Sequence, residues 1–121
     1  RKSVHLVDGE VVVSEETEAI FRRIAELDLH WLCLPRELGG MNAPLLVYFL
    51  VAELFARADV STMTHHSFHG GMAMALLVFS LREGSTKINK DTFTIEETRF
   101  QQAIEEIGSG EAWGTMDITE P

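Results

Sequence analysis

The chain has 121 residues, 45% hydrophobic and 24% charged, with 9 Gly, 3 Pro and a single Cys. That composition supports one packed domain. It excludes a disordered tail, collagen- or mucin-like repeats and a disulfide framework. Ten Lys and Arg against 19 Asp and Glu give a formal charge of −9, which disfavours nucleic-acid phosphates and anionic membrane surfaces as partners.

Residues 1–13 carry the turn signal Asp8-Gly9 and then Val11-Val12-Val13; they are expected to form a loosely ordered lead-in. Arg1-Lys2-Ser3-Val4-His5 has no apolar run behind it, so it does not read as a signal peptide. Ser14 is a good N-cap, Glu15 and Glu16 suit a first turn, and Ala19, Ile20, Ile24 and Leu27 recur at helical spacing. The pattern predicts a helix over 15–27. Pro35 makes the apolar run from His30 an extended, buried connection, and Gly39-Gly40 a turn with both glycines free for positive φ. Cys33, inside that run, reads as a core thiol rather than a nucleophile.

Pro44 opens a predicted helix over 44–57 in which Glu53 is the first charge. A helix apolar nearly all round belongs inside a larger body. Asp59 or Ser61 can cap a further helix over 61–82, bent or split at Gly70-Gly71. Residues 81–91 are polar and read as a loop. Thr94-x-x-Glu97 has the form of a capping box and predicts a helix over 95–107, closed by Gly108 at C′. Ala112 onward mixes apolar, small and β-branched residues as a strand does. The fold class is therefore all-α: four to five helical segments over 1–111, then over 112–121 the first strand of a truncated β-domain. Both chain ends read as cuts from a longer protein.

The candidate chemistry is sparse. His65 and His69 are one turn apart and share a face, which permits chelation, but no H-E-x-x-H accompanies them and no carboxylate is placed to complete a shell. No metal is expected at His65, His66 or His69; a helical metal-binding domain stays open as an alternative. Asp117, Glu120 and Glu111 read as solvated carboxylates rather than an acid–base pair. Neither a G-x-G-x-x-G nor a P-loop is present, nor a G-x-S-x-G elbow. On residue chemistry alone the chain has no catalytic residue of its own. A non-enzymatic helical interaction module is a second alternative.

The order of motifs is more informative. Leu34-Pro35-Arg36-Glu37-Leu38-Gly39-Gly40 resembles the P-E-x-x-G-G turn of the acyl-CoA dehydrogenase family. Val51 to Asp59 resembles its E-E-L-A-R-x-D helix end, Gly108 to Glu111 its S-G-E, and Met116 to Pro121 its T-E-P strand. The resemblance implies the N-terminal helical domain of an FAD-dependent flavoprotein that converts acyl-CoA thioesters to trans-2-enoyl-CoA. It implies that Met116, Ile118 and Thr119 approach the flavin, and that Ser67, Phe68 and Gly71 wall the acyl pocket. Its further implications are an acyl-CoA substrate, missing middle and C-terminal domains that carry the catalytic base, and a homo-oligomeric parent with an electron-transfer partner. A bacterial cytoplasm is the expected compartment, with the mitochondrial matrix as the alternative. Three features depart from the family pattern: the three histidines, the segment from Thr86 to Glu106, which replaces a short Q-K-x-x-Y-L-P helix, and the glycine-serine-aspartate expected after T-E-P, which this sequence does not contain. This chain alone is expected to be inactive.

Overall fold

In a computed structural model, which describes residues 4–114, four helices form the body and two short hairpins flank them. The order is β1 (Val4–Val7), β2 (Glu10–Val13), α1 (Glu15–Glu26), α2 (Leu45–Ala58), α3 (Val60–Glu83), β3 (Thr86–Ile88), β4 (Ile95–Thr98) and α4 (Gln101–Ser109). Three of the helices begin where the caps put them. Ser14 accepts from the Thr17 amide at 3.3 Å, Pro44 immediately precedes α2, and Asp59 accepts from the Thr62 amide at 2.8 Å. The core is Leu34, Leu38, Ala73, Leu77, Ile104 and Ile107, where α3, α4 and the segment between α1 and α2 meet. No helix among the described residues is long and apolar enough to cross a membrane.

Several expectations need correction. Residues 4–13 form an antiparallel hairpin, with Val4 paired to Val13 and Val7 to Glu10. Asp8 and Gly9 both have positive φ (50° and 85°), as a two-residue type I′ turn requires. The connection from His30 is not extended: Leu29–Trp31 and Arg36–Leu38 are single 3₁₀ turns. Gly39 takes positive φ, but Gly40 is needed for a different reason: a Cβ there would lie 2.0 Å from the Leu34 carbonyl oxygen. Gly70-Gly71 does not break α3, which runs unbroken from Val60 to Glu83.

The largest correction lies at 81–107. The expected loop contains the end of α3 and β3, and the expected start of a helix is β4. Thr94-x-x-Glu97 is not a capping box. Glu97 pairs with Lys87 across the hairpin, and α4 begins only at Gln101. The hairpin is stitched to α3 by a buried ring of hydroxyls. Ser80 meets Thr86 at 2.5 Å, Thr86 donates to Thr98 at 3.0 Å, and Thr98 donates to Ser80 at 3.2 Å. Ser80 also donates to the Leu77 carbonyl at 2.8 Å. Helix α4 closes on Gly110 (φ 81°) rather than Gly108. The strand expected from 112 lies mostly outside the described residues, and 113–114 have no regular structure.

Candidate functional site

Helix α3 organises two regions. Along its outer side Ser67, Phe68 and Gly71 line one groove of about 270 Å³, together with Met72 and Ala75. No charged side chain lines it. Its geometry comes from helical spacing, which places residues three and four apart on one face, and from Gly71, whose absent side chain leaves open space. The Tyr48 hydroxyl of α2 donates to the Ser67 carbonyl at 2.7 Å and fixes the two helices beside this groove.

A second cavity of about 240 Å³ lies between α2 and α3, with Cys33, Tyr48, Gly70 and Gly71 in its wall. Burial raises the Cys33 thiol pKa and, with a smaller opposing pull from its bond to Ser67, the Tyr48 phenol pKa. A thiol held protonated by burial is a poor nucleophile.

The inner side of α3 carries the histidines. The sequence pattern singled out His65, His66 and His69; the structure adds His30, delivered by the 3₁₀ turn after α1. The His30 ring lies 4.2 Å from His69 and 6.2 Å from both His65 and His66, centre to centre. His65 and His69 share a face, as expected, at 5.4 Å. His66 turns instead towards α2, packing on Tyr48 at 5.3 Å and Phe55 at 5.1 Å. His65 stacks on Phe21 of α1 at 3.8 Å and lies 4.1 Å from Trp113. His30, His66 and His69 are buried.

The nitrogens of these rings are poorly served. The Nε2–H of His69 donates to the Ile107 carbonyl at 2.7 Å, which leaves its Nδ1 without a partner. Both nitrogens of His66 are buried and unpartnered; those of His30 are buried without a well-formed hydrogen bond, the Gly108 carbonyl exerting a weak upward pull on the ring's pKa. Burial is the main reason that the pKa of His30 falls to about 3 and those of His65 and His66 to about 4; the neighbouring histidines add to it. His69 is lowered by burial as well, against the pull of its bond to Ile107. All four rings are therefore neutral near pH 7. Among the described residues, no group of three or more His, Cys, Asp or Glu is arranged to hold a metal ion. His30 was missed because it lies far from the α3 histidines in sequence; no spacing rule joins them. Met116, Asp117, Ile118, Thr119 and Glu120 lie outside the described residues, and Glu111 is exposed.

The model of the family described as acyl-CoA dehydrogenase, N-terminal domain, matches residues 6–90. The chain belongs to the acyl-CoA dehydrogenase family. Membership places it among oxidoreductases. The match contains the 34–40 turn, the 51–59 helix end and all of α3, hence both the groove and the four histidines. The S-G-E and T-E-P resemblances lie beyond it. No curated protein and no solved structure gave a match.

Proposed function

We propose that this chain is the N-terminal helical part of an FAD-dependent acyl-CoA dehydrogenase, and that Ser67, Phe68 and Gly71 form one wall of its acyl pocket. The observation that carries this reading is the uncharged groove in which those three residues meet, within the stretch matched to the family. An apolar trough with one hydroxyl suits an alkyl chain. The exposed face of α2 supports a larger parent. Leu45, Leu46, Phe49, Leu50 and Leu54 are all more than half exposed, a contiguous apolar face of the kind another body covers.

The described residues do not by themselves fit a flavin. Its pyrophosphate needs several convergent donors or cations. The groove over α3 has no cation and only the Ser67 hydroxyl, and Arg22, in the cavity beside α1, shares that wall with Glu18. Flavin contact in this reading falls to Met116, Ile118 and Thr119 and to the parent's other domains. The flavin would supply the hydride acceptor. The parent's missing domain would supply the carboxylate that removes the α-proton, giving trans-2-enoyl-CoA. What this chain contributes is exclusion of water and a length limit for the acyl group.

The test is the parent protein, expressed in full, with Gly71→Leu beside it. The expected result is a yellow protein bleached by acyl-CoA, with Gly71→Leu shifting the preferred acyl chain to shorter lengths. A parent that binds no flavin, or is not bleached by any acyl-CoA, overturns the reading. Unchanged length preference in Gly71→Leu overturns the pocket assignment.

A further inference from the structure

We infer that His30, His65, His66 and His69 form an acid-sensitive latch. Neutral, they hold α1 and its following turn onto α3 and α4; protonated, they release them.

The four rings make up much of the polar contact between these elements, beside the apolar packing of Trp31 on Gly108. His30 belongs to the turn after α1, while His65, His66 and His69 belong to α3. Phe21 of α1 reaches α3 through the His65 ring, and His69 reaches α4 through the Ile107 carbonyl. Five ring nitrogens have essentially no accessible surface and no well-formed hydrogen bond, the Gly108 carbonyl near His30 being a weak partner at most, so molecules in the adjoining cavity do not reach them. A neutral imidazole tolerates that site at some cost; an imidazolium, with no anion beside it, does not. Two protonated rings whose centres lie 4.2 Å apart would also repel each other directly. The structure can therefore accept protons only by opening, and the first opening exposes the remaining rings together.

The surrounding groups do not rescue the charge. From α1, Glu18 and Arg22 share the wall of the cavity beside His65 and His69, a carboxylate offset by a cation. From α2 the cluster meets the Tyr48 phenol and the Phe55 ring. The segment before α2 offers the Cys33 thiol, in the same cavity as His30. From α4 and its end come the Ile107 carbonyl, the Gly108 carbonyl, whose pull on His30 is outweighed by burial, Ser109 and Gly110. At the head of α3, Asp59 is engaged with Thr62. The ion pairs Arg23–Glu26, Arg57–Glu53, Lys87–Glu97 and Arg99–Glu83 are all on exposed side chains, where such pairs contribute little.

The experiment is an acid titration of the 121-residue chain from pH 7.5 to 4 in buffer containing EDTA. Tryptophan emission and near-UV circular dichroism report the latch, and far-UV circular dichroism reports the helices. Trp113, packed on His65, is the local reporter. Below pH 6.5 the tertiary signal is expected to vanish in one steep step. The ratio of open to closed molecules should change more than tenfold per pH unit, because several protons enter together. His66→Phe and His30→Phe should each make the step shallower and move it to lower pH. His5→Gln, on the exposed strand β1, should leave it unchanged. Should the buried variants fail to fold, the imidazole proton resonances of the wild type decide. The four rings of the cluster are expected to disappear together with the folded spectrum. Gradual, independent titration of those rings with the tertiary signal intact overturns the latch, as does an unchanged steepness in folded His66→Phe and His30→Phe.

Discussion

The Tyr48 hydroxyl donates to the Ser67 carbonyl at 2.7 Å, and the same ring covers Gly70, where a Cβ would come 3.4 Å from it. The bond joins α2 to α3 beside the proposed acyl groove. Removing the hydroxyl leaves the ring packing intact and costs one hydrogen bond. Tyr48→Phe is therefore expected to lower stability by about 1 kcal/mol, read as a drop of a few degrees in Tm. An unchanged Tm would mean that the bond adds nothing over water.

Two helical glycines should respond to alanine with opposite signs. Nothing lies within 4 Å of a Cβ at Gly71, so Gly71→Ala should gain about 0.5–1 kcal/mol from helix propensity. A Cβ at Gly108 would lie 2.3 Å from the Trp31 indole, inside the core edge. Gly108→Ala should cost about 1–3 kcal/mol as the ring is displaced. Urea denaturation of both variants checks the pair; loss of stability in Gly71→Ala would contradict the open space on that face.

The helices were legible where a cap and a period coincided. Ser14 and Asp59 each announced a helix, and Pro44 marked the third. The hairpins were not, although signals existed. Asp8-Gly9 between two valine-rich runs is a strong hairpin signature. Thr86-Lys87-Ile88 and the run from Ile95 flank Asn89, whose side chain accepts from the Asp91 and Thr92 amides to set the turn. Thr94-x-x-Glu97 misled because a strand with Thr and Glu at that spacing is indistinguishable from a capping box until its partner strand is known. The histidine cluster was legible on α3 alone, since helical periodicity carries no information about a ring arriving from another element. Ser67, Phe68 and Gly71 could be placed together because all three stand on one helix.

The hydroxyl ring of Ser80, Thr86 and Thr98 should be a stability hot point for the β3–β4 hairpin. Thr98→Val keeps the shape and removes one member, so Thr86 loses its acceptor and Ser80 a donor. A loss of about 1–3 kcal/mol is expected in urea denaturation. A loss below about 0.5 kcal/mol would mean that Ser80 and Thr86 satisfy each other unaided.

Stability should fall as pH drops below 6.5. Burial and neighbouring rings hold the folded His30 at about 3, and His65 and His66 at about 4, against an ordinary 6.5. Between those values the unfolded chain binds more protons than the folded one. The stabilisation is thus complete above pH 6.5 and is lost as pH falls towards the folded values. Each such ring should contribute about 1 kcal/mol of loss by pH 5.5. Urea midpoints at pH 7.5 and 5.5 check this, and an equal or higher midpoint at 5.5 would contradict it.

The 121-residue chain by itself is expected neither to hold FAD tightly nor to oxidise acyl-CoA. A flavin must be gripped at its pyrophosphate and its ring together, and the sequence contains no phosphate-binding loop. The chemistry also needs a carboxylate within hydrogen-bond reach, about 2.6–3.2 Å, of the α-proton. Among the described residues the groove formed by Ser67, Phe68 and Gly71 carries no acid. Lack of the base alone should cost about a hundredfold or more in rate, and lack of most of the flavin site should abolish turnover. The measurement is flavin bleaching in a mixture of the purified chain, FAD and a series of acyl-CoA lengths. Bleaching by the chain alone would place an unrecognised base within these 121 residues, and Asp117 and Glu120 would be the first to substitute.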